Sequence, residues 1–168
     1  CESYLIGDNS QGQLGVSDTS ANAYSVDVGD PWLLMEAGTV HTCGITTLKE
    51  LWCWGDNSRG QTGNGTTGGD QLTPLKVGTA ADWNLVAPGY RHTCGIRAGQ
   101  MWCWGSDNFG QLGNGTATTS SQGTPVRVGS DSDWTMVTSG WHHSCGLRDG
   151  GYAYCWGSNS SGELGLGN

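Results

Sequence analysis

Charge is scarce in this sequence: only 13% of its residues are Asp, Glu, Lys or Arg, and it holds four Pro and one Phe. So few charges leave little for long solvated helices, and no stretch carries apolar residues at helical spacing. No run of about eighteen apolar residues occurs, which excludes a helical membrane insertion. Cations are the scarcest of all: seven Lys and Arg stand against fifteen Asp and Glu, for a net charge of -8. A field of that sign repels phosphate backbones, so no nucleic acid partner is expected. The sequence opens with neither Met nor a signal-like segment, and reads as a soluble, processed or trimmed chain.

Glycine, tryptophan and cysteine are what the sequence has in excess. Thirty Gly, nine Trp and seven Cys among 168 residues describe many tight turns around large apolar side chains. That combination favours an all-β design. Internal repetition then dominates. Gly7, Gly55, Gly105 and Gly157 follow the same aromatic slot at steps of 48, 50 and 52 residues. Each period holds a Gly-Gln-Leu-Gly-like turn (12–15, 60–63, 110–113, 162–165), a variable loop, and an extended segment such as 73–77 or 124–128. A Trp-led strand follows (32–35, 83–86, 134–137), then a hairpin from His-x-Cys to Trp-Gly. About four short strands per fifty residues is the design of a propeller blade. The period divides the chain into the end of a blade at 1–15, repeats at 16–63 and 64–113, and a third at 114–168 that runs into the start of another.

The hairpin register follows by counting. If Cys94 faces Cys103, the turn centres between Ala98 and Gly99, a natural two-residue loop, and Arg97 pairs with Gln100. The two Cys then occupy a non-hydrogen-bonded pair, where strands approach closest and a disulfide fits. Cys43 and Cys53 centre on Leu48, and Cys145 and Cys155 centre on Gly150. Reduced core thiols and a metal site remain alternatives, since His41, Cys43 and Cys53 could share a face, but no fourth ligand recurs for a structural zinc. Disulfides are the expected state, with no metal and no cofactor. They imply an oxidising setting: extracellular, secretory or an organelle lumen. Cys1 is left without a partner among the pairs. Asn64, Asn114 and Asn159 stand in sequons open to N-glycosylation, although an Asn-Gly turn is wanted at the first two in any case.

Alternation in Trp52-Cys53-Trp54 and Trp102-Cys103-Trp104 puts both rings on one face and the sulfur on the other. The rings are expected to pack between blades, with Tyr154 and Trp156, and Tyr4 and Ile6, in the same slots. His41, His92 and His143 recur with the unit, so each is expected to bond a turn or neighbouring backbone rather than to catalyse anything. What varies is more informative. The residues before each repeated His, Thr39-Val40, Tyr90-Arg91 and Trp141-His142, lie at a strand-to-strand turn that every blade presents on one face. Exposed aromatics there are costly unless covered or used in binding, which makes Tyr90, Arg91, Trp141 and His142 the candidate binding residues. The alternative is that Tyr90 and Trp141 lean back into a blade interface. No Ser is set beside a recurring base, so no nucleophile triad, and no enzyme, is expected. Asp8-Asn9-Ser10-Gln11-Gly12 and Asp56-Asn57-Ser58-Arg59-Gly60 lack the closing Glu of a calcium loop and read as turns.

The pattern His-Thr-Cys-Gly-Ile, Trp-Cys-Trp-Gly, Gly-Gln-Leu-Gly-Asn-Gly-Thr, Thr-Pro and Val, spelled out from His92 to Val128, resembles the repeats of the regulator of chromosome condensation family. The resemblance implies a seven-bladed β-propeller, of which about three blades are present here. It implies less about function, since the family includes a Ran exchange factor, a plant ultraviolet photoreceptor, a secreted β-lactamase inhibitor and receptor-borne propellers. Repeated disulfides and the acidic balance argue against Ran-type exchange. The photoreceptor's Gly-Trp-Arg-His-Thr element is matched only in part, by Gly89-Tyr90-Arg91-His92-Thr93 and Gly140-Trp141-His142-His143-Ser144. Three blades cannot close a ring, so the expected partners are other protein chains, in a larger assembly or a homo-oligomer that completes a propeller. The expected function is protein binding or assembly, with a structural accessory subunit and a glycan-binding propeller as alternatives.

Overall fold

The computed structural model describes residues 4–20, 24–116 and 120–167. Cys1 lies outside the described residues, and with it the question of its partner. Thirteen strands are described, with no helix among them. A short ribbon pairs β1 (Tyr4–Leu5) with β2 (Tyr24–Ser25). Three antiparallel meanders follow. Blade I is β3 (Trp32–Ala37), β4 (His41–Thr46), β5 (Leu51–Gly55) and β6 (Gln71–Lys76). Blade II is β7 (Trp83–Pro88), β8 (His92–Arg97), β9 (Gln100–Gly105) and β10 (Gln122–Arg127). Blade III is β11 (Trp134–Ser139), β12 (His143–Arg148) and β13 (Ala153–Gly157). The sheets run out of phase with the sequence period, since blade I takes β6 from beyond residue 63. A period marks recurring residues, whereas a blade is the set of strands that hydrogen-bond to one another.

The central hairpins have the counted register. Cys43 faces Cys53, Cys94 faces Cys103 and Cys145 faces Cys155. All three pairs are disulfides with Cα atoms 4.1 Å apart, the close approach of a non-hydrogen-bonded pair. Their sulfurs are spent on each other, which removes the thiolates that a metal site would have needed. In blade II the turn is Ala98-Gly99, both with positive φ (47° and 72°), the conformation whose twist suits a two-residue hairpin. Each blade also carries a bulge in its first strand, just after Trp32, Trp83 and Trp134.

The core sits between sheets rather than within one. The Cys face of blade I, with Cys43, Ile45, Leu51 and Cys53, packs against the Trp face of blade II, with Trp83, Trp104 and Trp102. Cys94, Ile96, Met101 and Cys103 meet Trp134 and Trp156 of blade III in the same way. The first strands β3, β7 and β11 approach one another at the centre, so the turns that follow them share one end of the arc.

Candidate functional site

A hydrogen-bonded seam joins each blade to the next and fixes how that end is presented. The main-chain carbonyl of Gln61 accepts from Trp104 Nε1 (2.9 Å) and from Thr93 Oγ1 (2.7 Å). Gln111 does the same for Trp156 and Ser144, and Gln13 for Trp54 and Thr42. With its proton committed to Gln61, Thr93 Oγ1 can only accept from His41, whose Nε2 lies 2.7 Å away. His92 Nε2 and Ser144 repeat the contact at 2.9 Å. His41 and His92 therefore each bond a hydroxyl of the neighbouring blade, 52 residues on, and His92 also meets the neighbouring backbone at His143, as the sequence suggested. Burial pushes His41 down to about 4, despite the charge of Asp56, and burial together with the charges of His41, His142 and His143 pushes His92 to about 3. Both are neutral at ordinary pH, with the proton on Nε2.

Above this seam the turns themselves are stitched together. Thr39 N donates to the Gly89 carbonyl and Tyr90 N to the Gly140 carbonyl. A Cβ on Gly38 or Gly89 would lie 2.6 Å from the carbonyl of the following Gly, so only glycine permits this approach. Residues 90, 91, 141 and 142 are thus held on a rigid backbone.

All four sequence candidates come together there. The Tyr90 and Trp141 rings stack with centroids 5.0 Å apart and planes at 25°. The Arg91 guanidinium lies 4.9 Å from the centroid of Tyr90. His142 stands edge-on to Tyr90 at 6.1 Å. Trp141 is 62% exposed, so it has not folded back into a blade interface. Phe109, half exposed and 4.7 Å from His142, extends the cluster. It could not be read from the sequence as part of this surface, because it arrives on a different turn, the one after β9. The only available signal was its place in a turn slot where the other repeats carry Gln11, Arg59 and Ser161.

The turn holding Phe109 is itself built by side chains. Gln111 Oε1 accepts from the Phe109 amide (2.9 Å) and Asp107 Oδ1 from the Leu112 amide (3.1 Å). In blade I, Gln61 Oε1 caps Arg59 and Asp56 Oδ1 caps Ser58. The second of these is a turn the sequence indicated, at 56–60, and at 8–12 Asp8 Oδ1 likewise accepts from the Ser10 amide. At the outer loops, Asn64 Oδ1 accepts from the amide and hydroxyl of Thr66, and Asn114 Oδ1 accepts likewise from Thr116. Asn159 Oδ1 instead accepts from the Leu164 amide.

Comparison with known proteins agrees with this architecture. The Regulator of chromosome condensation (RCC1) repeat profile matches residues 50–96 and 98–147, and a second profile of the same repeat matches 35–61 and 135–163. The chain is 31% identical over 169 residues to the ultraviolet-B receptor UVR8 of Arabidopsis thaliana, covering 96% of this chain and 38% of the receptor. Among solved structures, Prp20p of Saccharomyces cerevisiae superposes with a TM-score of 0.85 at 19% identity, over 98% of this chain and 43% of that one. The ectodomain of the Physcomitrella patens receptor kinase CR4 is 25% identical with a TM-score of 0.52, over 84% of this chain and 32% of that one. The chain thus spans well under half the length of each of these proteins. With its repeats matched in sequence and its blades in three dimensions, the chain belongs to the RCC1 repeat family.

Proposed function

We propose that this chain is a non-enzymatic protein-binding or assembly module whose contact surface is the aromatic and arginine cluster on the end of the arc formed by the turns after β3, β7 and β11. The observation that carries the reading is the stack of half-buried Arg91 and Tyr90 with exposed Trp141, set on a backbone that is rigid before any partner arrives. Aromatic and arginine side chains are the types that dominate protein-binding energetics, and preorganisation lowers the cost of ordering them. The fold has such a use elsewhere, since Prp20p is described by its binding to Gsp1p and histones.

An extracellular or luminal setting goes with this reading. Two of the disulfides are fully buried between blades, and the similar CR4 propeller is the ectodomain of a receptor kinase. Panning a random peptide library against the chain and against Trp141→Ala tests the surface: saturable peptide binding lost in the variant is expected. Peptides that bind both proteins alike would overturn it. Mass spectrometry of the native protein without reductant tests the setting, and free thiols at Cys94 and Cys103 would remove it. A second reading, a sugar-stacking platform, is favoured by the exposed face of Trp141. Binding on a glycan array with the same dependence on Trp141 would select it.

A further inference from the structure

Most cations of the described residues are paired with carboxylates or carbonyls. At the end away from the candidate surface Lys76, Arg97, Arg127 and Arg148 are engaged, while Lys49, on the turn between β4 and β5, forms no ion pair among the described residues. Lys76 pairs with Glu50, Arg97 with Asp82, and Arg148 with Asp131 and Asp133. Arg127 donates to the carbonyls of Ser130 and Asp131. That end also exposes Asp27 and Asp149.

The candidate surface holds the two remaining cations. Arg59 and Arg91 form no ion pair among the described residues, and Arg91 Nε and His142 Nδ1 have no hydrogen-bond partner. The repeat places these groups together. Arg59 occupies in blade I the slot of Phe109 in blade II, two residues before the capping Gln, and Arg91 occupies the slot of His142. Since Phe109 packs on His142, the equivalent slots put Arg59 and Arg91 on neighbouring turns of this end. No carboxylate of the described residues pairs with them, although Asp70 lies exposed at this end of blade I. Asp56 and Asp107 are buried beneath the surface, and Asp56 accepts from Ser58 and Gln61. In a chain of net charge -8, two unpaired arginines on neighbouring turns, one of them against a stacked Tyr and Trp, mark where an anion would be welcome.

We propose that this surface selects an acidic peptide segment of a partner protein, with Arg59 and Arg91 meeting its carboxylates and Tyr90, Trp141 and Phe109 packing on its apolar or aromatic side chains. The inference rests on the protein-binding reading above and adds the chemistry of the partner. A carboxylate can take two parallel bonds from a guanidinium, a geometry that lysine or histidine cannot offer. The acidic field of the remainder disfavours nucleic acid as the anion, because a long polyphosphate would have to run over negative surface.

Fluorescence anisotropy on the full chain with its disulfides intact tests this, using three labelled twelve-residue peptides of one template with a central Tyr and flanking Glu, Gln or Lys. The Glu peptide is expected to bind at least tenfold tighter than the Gln peptide, with the advantage shrinking in high salt. Arg59→Gln with Arg91→Gln should abolish the advantage while leaving weak Gln-peptide binding in place, and Trp141→Ala should weaken both. Equal affinity for the Glu and Gln peptides, still dependent on Trp141, would overturn the acidic preference and leave the protein-binding surface standing. Binding unaffected by Trp141→Ala would sink both. No binding by any peptide, tighter binding of an oligothymidylate than of the Glu peptide, or sedimentation showing that the two arginines instead hold together a second copy of the chain would each overturn the proposal. Circular dichroism of the variants separates lost contacts from lost folding, and these surface changes are expected to leave the spectrum unchanged.

Discussion

Individual residues recur here because a neighbour leaves no room for anything else. Gly44, Gly95 and Gly146 follow the first Cys of each hairpin, and a Cβ at Gly95 would lie 2.9 Å from Cζ3 of Trp83 and 3.0 Å from the carbonyl oxygen of Leu85. The same ring meets the same glycine in the other blades, Trp32 on Gly44 and Trp134 on Gly146. Since Gly95 does not have a positive φ, an alanine there would be strained by contact alone, with no backbone penalty. Gly95→Ala is therefore expected to destabilise the fold by about 1–3 kcal/mol, the usual cost of overpacking a filled core. Urea unfolding measures it. A variant as stable as the parent would show that Trp83 shifts freely and that the glycine is kept for another reason.

At the scale of strands and hairpins, the sequence was most readable where contacts are local. The register of Cys94 with Cys103 follows from a two-residue turn and the alternation of a strand, both contained within a dozen residues. The partner of His41 was not readable, because Thr93 stands on the next blade and nothing near His41 in the chain points to it. The same limit hid Phe109 and Arg59 from the candidate surface, while Tyr90, Arg91, Trp141 and His142 were legible as variation set against a constant frame. The hairpins also make a graded prediction. Each disulfide closes a loop of about ten residues, which in the chain-entropy account contributes roughly 3 kcal/mol. Cys94 and Cys103 are fully buried against blade III, whereas Cys155 is exposed on the open face of that blade. Replacing Cys94 and Cys103 together by alanine should cost that amount plus the lost packing of two buried sulfurs. Replacing Cys145 and Cys155 should cost little beyond the closure term. Equal losses for the two double variants in denaturant would mean that interblade packing of the sulfurs contributes nothing.

For the whole molecule, the decisive contacts are those that hold one sheet to the next, and they carry a dependence on pH. His41 and His92 each bridge two blades as neutral side chains, held down to about 4 and about 3 chiefly by burial. In an unfolded chain both would titrate near the ordinary value of about 6.5. Between those limits the unfolded state binds protons that the folded state refuses, so stability must fall as the solution is acidified. It is fully present above about pH 6.5 and is lost progressively on the way down toward pH 4. The exposed carboxylates held low by hydrogen bonds, Asp8, Asp18 and Glu163 among them, act on the acid side of that window and leave its upper part to the histidines. Two such groups make the loss between pH 7 and pH 4.5 on the order of a few kcal/mol. His41→Gln with His92→Gln keeps an N–H able to donate to Thr93 and Ser144 but cannot gain a charge. That variant should show a nearly flat unfolding midpoint across the same range, whatever its stability at pH 7. An acid slope as steep as the parent's would place the pH sensitivity outside the seam between blades.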